Sequence, residues 1–314
     1  MSELYLITGG AGFIGSNLAE ALVRDGERVR IFDNLSSGTL DNLAAVRDRV
    51  EFVEGDLRDF DAVRRAMQGV TRVAHQGALR SVERSVDDPL SSDAVNVQGT
   101  LHVLQSAREQ QVKRVVYASS SSAYGDTEAL PKREDQTPAP ISPYAVSKLA
   151  AEHYCRVFSR LYGVETVSLR YFNVFGPKQS PESKYAAVVP LFLRAAFQNV
   201  PLEIHGDGEQ SRDFTYIDNV VLANRLSLTT PGVAGEVFNV ACGERHSLLD
   251  IARSIGRLHG RELTLNHVAS RRGDVRHTQA SIDRITARLA FRPAVAFDEG
   301  MRRTYDWFRE QWRG

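Results

Sequence analysis

Residues 4–15 read Leu-Tyr-Leu-Ile-Thr-Gly-Gly-Ala-Gly-Phe-Ile-Gly, an apolar run closing in glycines at 9, 12 and 15, and residues 16–24 follow with a helical pattern. Few folds accept that order. The apolar run reads as a buried strand, and the glycines allow a turn tight enough to pass straight into a helix while its backbone approaches a pyrophosphate. The helix N-terminus then faces the anion. The next apolar run ends in Phe32-Asp33-Asn34, 18 residues past Gly15. That spacing sets a carboxylate where an adenosine ribose offers its hydroxyls. An Asp there repels a 2'-phosphate, so the pattern predicts NAD rather than NADP. Asp56-Leu57 follow the third run, and Asp56 either reaches the adenine edge or caps the helix after it.

The alternation continues. Short runs at 4–8, 29–32, 52–53, 73–75, 115–118 and 166–170 are separated by segments of helical period, which predicts an α/β protein with a doubly wound parallel sheet of the Rossmann type. From 175 to 212 four prolines interrupt the pattern around one expected helix, 185–198. Residues 237–240 are expected to return to the sheet, and 245–314 to give a helix, a strand and two further helices. The expected division is an NAD-binding domain over 1–173, with a return near 213–242, and a smaller, mainly C-terminal α/β substrate-binding domain from 174–212 and 243–314. No repeat of 20–50 residues is present.

Charge narrows the partners. The 39 Lys+Arg balance 39 Asp+Glu, giving a net formal charge of 0, which argues against a general nucleic-acid or membrane-surface binder. Cys155 and Cys242 are too few for a disulfide framework and lack zinc-like spacing, so no metal is expected. No run of about 18 apolar residues occurs, and the N-terminus lacks a basic segment followed by an apolar one. A cytoplasmic protein is the expectation.

A second constellation is Ser142-Pro143-Tyr144-Ala145-Val146-Ser147-Lys148. Ser142 suits an N-cap and Pro143 the first helical position, which sets Tyr144 and Lys148 at i and i+4 on one face. A tyrosine of pKa about 10 is a poor base at neutral pH. A neighbouring ammonium, a helix N-terminus and a cationic nicotinamide all favour its phenolate. Only five lysines occur in the chain, so one at this spacing from a tyrosine is informative. The run Val115-Val116-Tyr117-Ala118 leads into Ser119, Ser120, Ser121 and Ser122 at the expected carboxyl edge of the sheet, where one hydroxyl can bond the oxygen being oxidised. Chemistry alone leaves the choice among the four open.

Together these residues resemble the extended short-chain dehydrogenase/reductase family, and within it the UDP-hexose 4-epimerases, particularly the branch acting on N-acetylated sugars. The matching segments are Gly9 to Gly15, Asp33, Asp56-Leu57, Ser120 to Gly125, Tyr144 with Lys148, and Arg170 to Pro177. The resemblance implies that Ser120, four residues before Tyr124, is the catalytic hydroxyl. It implies cofactor contacts at Phe13, Ile14, Asn34, Gly38, Gln76, Ala78, Asn96 and Tyr171. It also implies a UDP-sugar site from Ser81, Ser122, Asn173, Val188, Val189, Arg212, Arg271 and Asp274, where arginines suit a diphosphate. Epimerases restricted to unacetylated hexoses carry a bulky tyrosine four residues after the aspartate matching Asp274. Thr278 stands there in this chain, so UDP-GlcNAc and UDP-GalNAc are expected substrates, unless His277 or Arg80 fills the space.

The implied reaction is a redox-neutral inversion at C4: Tyr144 takes the hydroxyl proton, NAD accepts and returns hydride, and Lys148 holds the nicotinamide ribose. A nucleotide-sugar 4,6-dehydratase needs an Asp-Glu pair after the catalytic hydroxyl, and Ser121-Ser122 stand there instead. A UDP-uronic acid epimerase or decarboxylase needs a cation for the carboxylate, for which Arg80 and Arg84 are candidates. A non-catalytic NAD-binding scaffold would have lost the Ser/Tyr/Lys set. The resemblance further implies a homodimer through helices near 92–110 and 147–161.

Overall fold

The structure, a computed structural model, describes residues 3–182, 186–269 and 276–312. Its first half alternates strand and helix: β1 (Leu4–Thr8), α1 (Phe13–Arg24), β2 (Arg28–Asp33), β3 (Val50–Glu54), α2 (Phe60–Ala66), β4 (Arg72–His75), α3 (Val82–Asp87), α4 (Pro89–Asp93), α5 (Gly99–Glu109), β5 (Arg114–Ser120), α6 (Pro143–Tyr162) and β6 (Glu165–Tyr171). The later elements are β7 (Val174–Phe175), α7 (Val188–Gln198), β8 (Leu202–His205), β9 (Ser211–Arg212), β10 (Thr215–Tyr216), α8 (Ile217–Thr229), β11 (Glu236–Val240), β12 (His246–Ser247), α9 (Leu248–His259), β13 (Leu265–Val268), α10 (Asp283–Leu289) and α11 (Phe297–Trp312).

Seven strands form one parallel sheet in the order β11-β6-β5-β4-β1-β2-β3. The strand order reverses at β1, between β4 and β2, which opens a crevice at the carboxyl ends of the strands. Both faces are covered. Along β1, Leu4 and Leu6 enter the core shared with α2, α5 and α6, while Tyr5 and Ile7 enter the core shared with α1 and α8. β5 repeats the alternation, with Val115 and Tyr117 on one side and Val116 and Ala118 on the other. Each such side chain removed from water contributes roughly 1.5–3 kcal/mol, and burial on both faces explains why these runs are apolar throughout.

The helix that carries the Tyr/Lys pair is fixed at both ends. Ser142 Oγ accepts from the Ala145 N–H, Pro143 occupies the first turn, and Gly163 closes the last turn at φ 71°. In the C-terminal half, Ser247 and Asp250 form a capping box on α9. Three two-stranded pairs, β10 with β7, β12 with β9 and β13 with β8, tie that half together.

Three expectations change in detail. The helix foreseen from 185 begins at Val188. Residues 92–110 are not one regular helix, because between α4 and α5 the turns at Ala94–Gln98 widen to π-type, which lets Asn96 bond Leu79 and Ser147 instead of following the surface. Asp59, not Asp56, caps α2 through the Ala62 N–H. Among the described residues no helix is long and apolar enough to cross a membrane.

Candidate active site

At the amino end of α1 the chain turns so closely that side chains have no room. Gly9 sits at φ +64°, and a Cβ there would lie 2.6 Å from Gly77 Cα; a Cβ on Gly15 would lie 2.3 Å from the Gly9 carbonyl oxygen. Gly12 caps α1 without a side chain, so the first-turn N–H groups stay directed into the crevice, where an anion is favoured. The cleft above them is lined by Gly9, Gly12, Phe13, Ile14, Gly15, Asp33, Asn34, Asp56, Leu57, Gln76 and Ala78. A glycine turn, an uncapped helix start and a carboxylate at the end of β2 suit a dinucleotide.

Asp33 has a second use that its position alone did not suggest. Its carboxylate accepts from the Ala11 N–H (3.0 Å) and the Leu35 N–H (2.8 Å), so it also shapes the glycine turn, and burial pushes its pKa up. Asp56 is held by Arg58 and by Asn34 Nδ2 at 2.9 Å; the Arg58 hydrogen bonds keep its carboxyl well below the usual range. Gly38 packs on Ala11. Asn96 braces Leu79 against Ser147, and Gln76 and Tyr171 share a network with Asn224.

The four serines after β5 have different surroundings. Ser119 is buried and donates to Glu152 Oε2 (2.7 Å). Ser120 faces the Tyr144 phenol, and its Oγ accepts from Ser122 Oγ at 2.9 Å. Burial pushes the Tyr144 pKa up, while the nearby Ser120 hydroxyl and the Arg80 guanidinium pull it back. Arg80 lines the dinucleotide cleft, so the phenol lies at the edge of that cleft. Lys148, one turn further along α6, is buried, with Nζ 4.5 Å from the Tyr117 ring centroid. Burial pushes its pKa down to about 7. Lys148 Nζ is thus turned to the Tyr117 ring, with no hydrogen bond to the phenol among the described residues.

A second cavity is lined by Asn173, Val188, Val189, Arg212, Phe192, Phe214, Glu203 and His205 among others. Asn173, at φ 29°, donates Nδ2 to the Asp213 carbonyl. Arg212 NH1 donates to the Ser211 and Arg276 carbonyls. Thr278 stands beside them, its N–H on the Ser211 carbonyl (3.0 Å) and its Oγ1 enclosed with no partner among the described residues. His277 is turned to Ser211 Oγ (2.8 Å). Ser81 lies apart from both lining sets: its hydroxyl caps α3, accepting from the Arg84 N–H (3.0 Å) and donating to Glu83. Arg271 and Asp274 lie outside the described residues.

The family model for the NAD dependent epimerase/dehydratase family matches residues 5–241. The chain belongs to that family. A UDP-glucose 4-epimerase of Mycolicibacterium smegmatis is 36% identical over 310 residues, 98% of each chain. The structure of a UDP-N-acetylglucosamine 4-epimerase from Methanobrevibacter ruminantium M1, in complex with UDP-N-acetylmuramic acid, superposes with TM-score 0.94 at 36% identity, over 99% of this chain and 100% of that one. The UDP-glucose 4-epimerase of Thermus thermophilus, complexed with NAD, gives TM-score 0.90 at 36% identity over 98% and 99%. The protein is thus an enzyme of the NAD-dependent UDP-sugar epimerase family, with the Rossmann-type fold and NAD as cofactor.

Several cleft residues of this epimerase-family chain carried no signal in the sequence. Ser36, Ser37 and Val95 line the dinucleotide cleft, and β8 contributes Glu203 and His205 to the second cavity. None belongs to a spaced motif, and the two β8 residues lie on a strand whose partner, β13, is distant in sequence.

Proposed function

We propose that the enzyme inverts C4 of UDP-hexoses reversibly, accepting UDP-GlcNAc and UDP-GalNAc as well as UDP-glucose and UDP-galactose. The observation that carries this reading is the approach of the Ser120 hydroxyl to the Tyr144 phenol at the carboxyl edge of β5. It pairs a base with a donor at the edge of a dinucleotide cleft. NAD, when bound, supplies reversible hydride acceptance. Tyr144 Oη takes the 4-hydroxyl proton and returns it to the same oxygen, and Ser120 Oγ holds that oxygen throughout. Arg212 offers a planar cation to the diphosphate, about which the sugar turns between the two half-reactions. Thr278 leaves room for a 2-acetamido group. The dehydratase reading lacks the acid/base pair it needs, since Ser121 and Ser122 stand where the Asp-Glu pair is required.

A second reading has one observation in its favour. Arg80 faces the site and has no ion pair among the described residues, which suits a sugar carboxylate, as in a UDP-uronic acid. Incubation with UDP-glucose, UDP-GlcNAc and UDP-glucuronic acid, with products resolved by NMR, separates these readings. Turnover of UDP-glucose alone removes the Thr278 argument; turnover of UDP-glucuronic acid alone establishes the second reading; a 6-deoxy-4-keto product overturns both.

A homodimer is part of the same reading. Tyr154, Val157 and Leu161 are exposed at helical spacing on α6, which lies beside α5. Light scattering of the wild type and of Leu161→Glu tests it: a monomeric wild type overturns the dimer.

A further inference from the structure

Tyr144 and Lys148 are the first two members of an i, i+4, i+8 row on α6, and the third is Glu152. Glu152 is buried. Its Oε1 accepts from Arg170 NH2 at 2.7 Å, and its Oε2 accepts from Arg170 Nε at 3.0 Å and from Ser119 Oγ at 2.7 Å. Arg170 stands on β6 with its guanidinium 4.6 Å from the Tyr124 ring centroid, and Tyr124 donates in turn to Asn239 Oδ1 at 2.7 Å. Ser119 is the residue before Ser120. One carboxylate thus joins α6 to the ends of both β5 and β6, at the residue that precedes Ser120.

We propose that Glu152 is a positioning residue for the Ser120, Tyr144 and Lys148 set: clamped between Arg170 and Ser119, its carboxylate fixes α6 against β5 and β6 and sets a buried negative charge one helical turn from the Lys148 ammonium. The inference rests on the reading of Tyr144 as base and Lys148 as its cationic neighbour.

Arg170 on β6, ion-paired with Glu152, offsets part of that charge, and the other groups around Lys148 are neutral. From β5 comes the Tyr117 ring, whose hydroxyl donates to the Lys148 carbonyl at 3.3 Å. From β4 comes His75, bonded by Thr8 and Thr100 and pushed by burial down to about 3, hence neutral. From α6 itself come Cys155 and Glu152, and burial pushes the Cys155 thiol up to about 12, so it is neutral as well. Lys148 has no ion pair among the described residues. Burial disfavours its ammonium, and Glu152 opposes that effect. Removing the carboxylate lowers the pH at which the ammonium is lost, so the basic limb of the rate profile moves to lower pH.

The test is the pH dependence of kcat and KM for NAD-loaded enzyme with UDP-glucose and UDP-GlcNAc. Glu152→Gln is expected to move the basic limb down by about one pH unit, a roughly tenfold relative loss on that limb, with KM changed less than about twofold. Glu152→Asp keeps the charge but draws it back, so kcat falls several-fold while the limb stays in place. The Glu152→Gln change leaves Arg170 buried without a counter-charge. Should that variant not fold, the pair Glu152→Gln/Arg170→Gln removes both charges, and a smaller shift in the same direction is expected because Glu152 sits one helical turn from Lys148 on α6 whereas Arg170 stands on β6. A folded variant lacking the carboxylate, with its limb where the wild type has it, overturns the inference, since a purely structural bond lowers stability without moving the limb. Tyr144→Phe run alongside separates the failures. Wild-type turnover in that variant overturns the reading of the base, whereas an inactive Tyr144→Phe with an unmoved limb in Glu152→Gln overturns the role of Glu152 alone.

Discussion

At the dinucleotide cleft the critical wall is backbone: Gly9 and Gly15 have no space for a Cβ, and α1 begins without a side-chain cap. At the second cavity the wall is side chains, drawn from Asn173, from the start of α7, from β8 and from Arg212. The first wall is made by nearby residues, since strand, turn and helix follow one another within 24 positions. The second is assembled from segments that meet through two-residue strands and isolated bridges such as Ser211 with His277. The proposed catalytic edge, Ser120 with Tyr144, borders the first, and the Glu152–Arg170 ion pair is buried. A ligand-binding surface made of backbone tolerates many side chains around it but no Cβ at its closest points, whereas one made of side chains can change its ligand by single substitutions.

Four substitutions probe that contrast, beginning with the largest effect. Tyr144→Phe is expected to lower kcat by about 10²–10⁴-fold while leaving bound NAD, measured after denaturation, unchanged; loss of NAD as well would mean that the cleft and the catalytic edge are not separable. Arg212→Ala removes a charged donor worth about 1.5–3 kcal/mol, so KM for UDP-sugars rises about 10–150-fold in steady-state assays with kcat little altered. An unchanged KM would show that the second cavity does not hold the diphosphate. Gly9→Ala combines a left-handed backbone with the 2.6 Å approach to Gly77 Cα, costing about 1–3 kcal/mol, so the NAD content of the purified protein drops by about tenfold. Thr278→Tyr is the finest test: kcat/KM for UDP-GlcNAc falls about tenfold relative to UDP-glucose. Equal effects on both sugars would place Thr278 outside the 2-acetamido subsite.

Much of the fold was legible because its signals are periodic and local. Buried parallel strands read as short apolar runs, and the Ser142-Pro143 start of α6 announces its own cap. The break between α4 and α5 was not legible, since the widened turns at Ala94–Gln98 follow from bonds made by Asn96 to Leu79 and Ser147, residues distant in sequence. Asp56 read equally well as a ligand contact or a helix cap, and only the position of Asp59 one turn later excludes the second. The serine run shows the same boundary. Four adjacent hydroxyls are equivalent on paper, but the pleat and the turn after β5 send Ser119 to Glu152 and Ser120 to Tyr144.

The sequence by itself determined the parallel sheet, the glycine turn with Asp33 at its proper distance, and the pairing of Tyr144 with Lys148 on one helix, all set by short-range geometry. Tertiary structure alone decided which serine meets the phenol, that Arg80 faces it, that Lys148 lies over Tyr117, and that Glu152 is locked to Arg170. Those contacts join α6 to strands and loops elsewhere in the chain, and their energies come from burial, which no local spacing encodes.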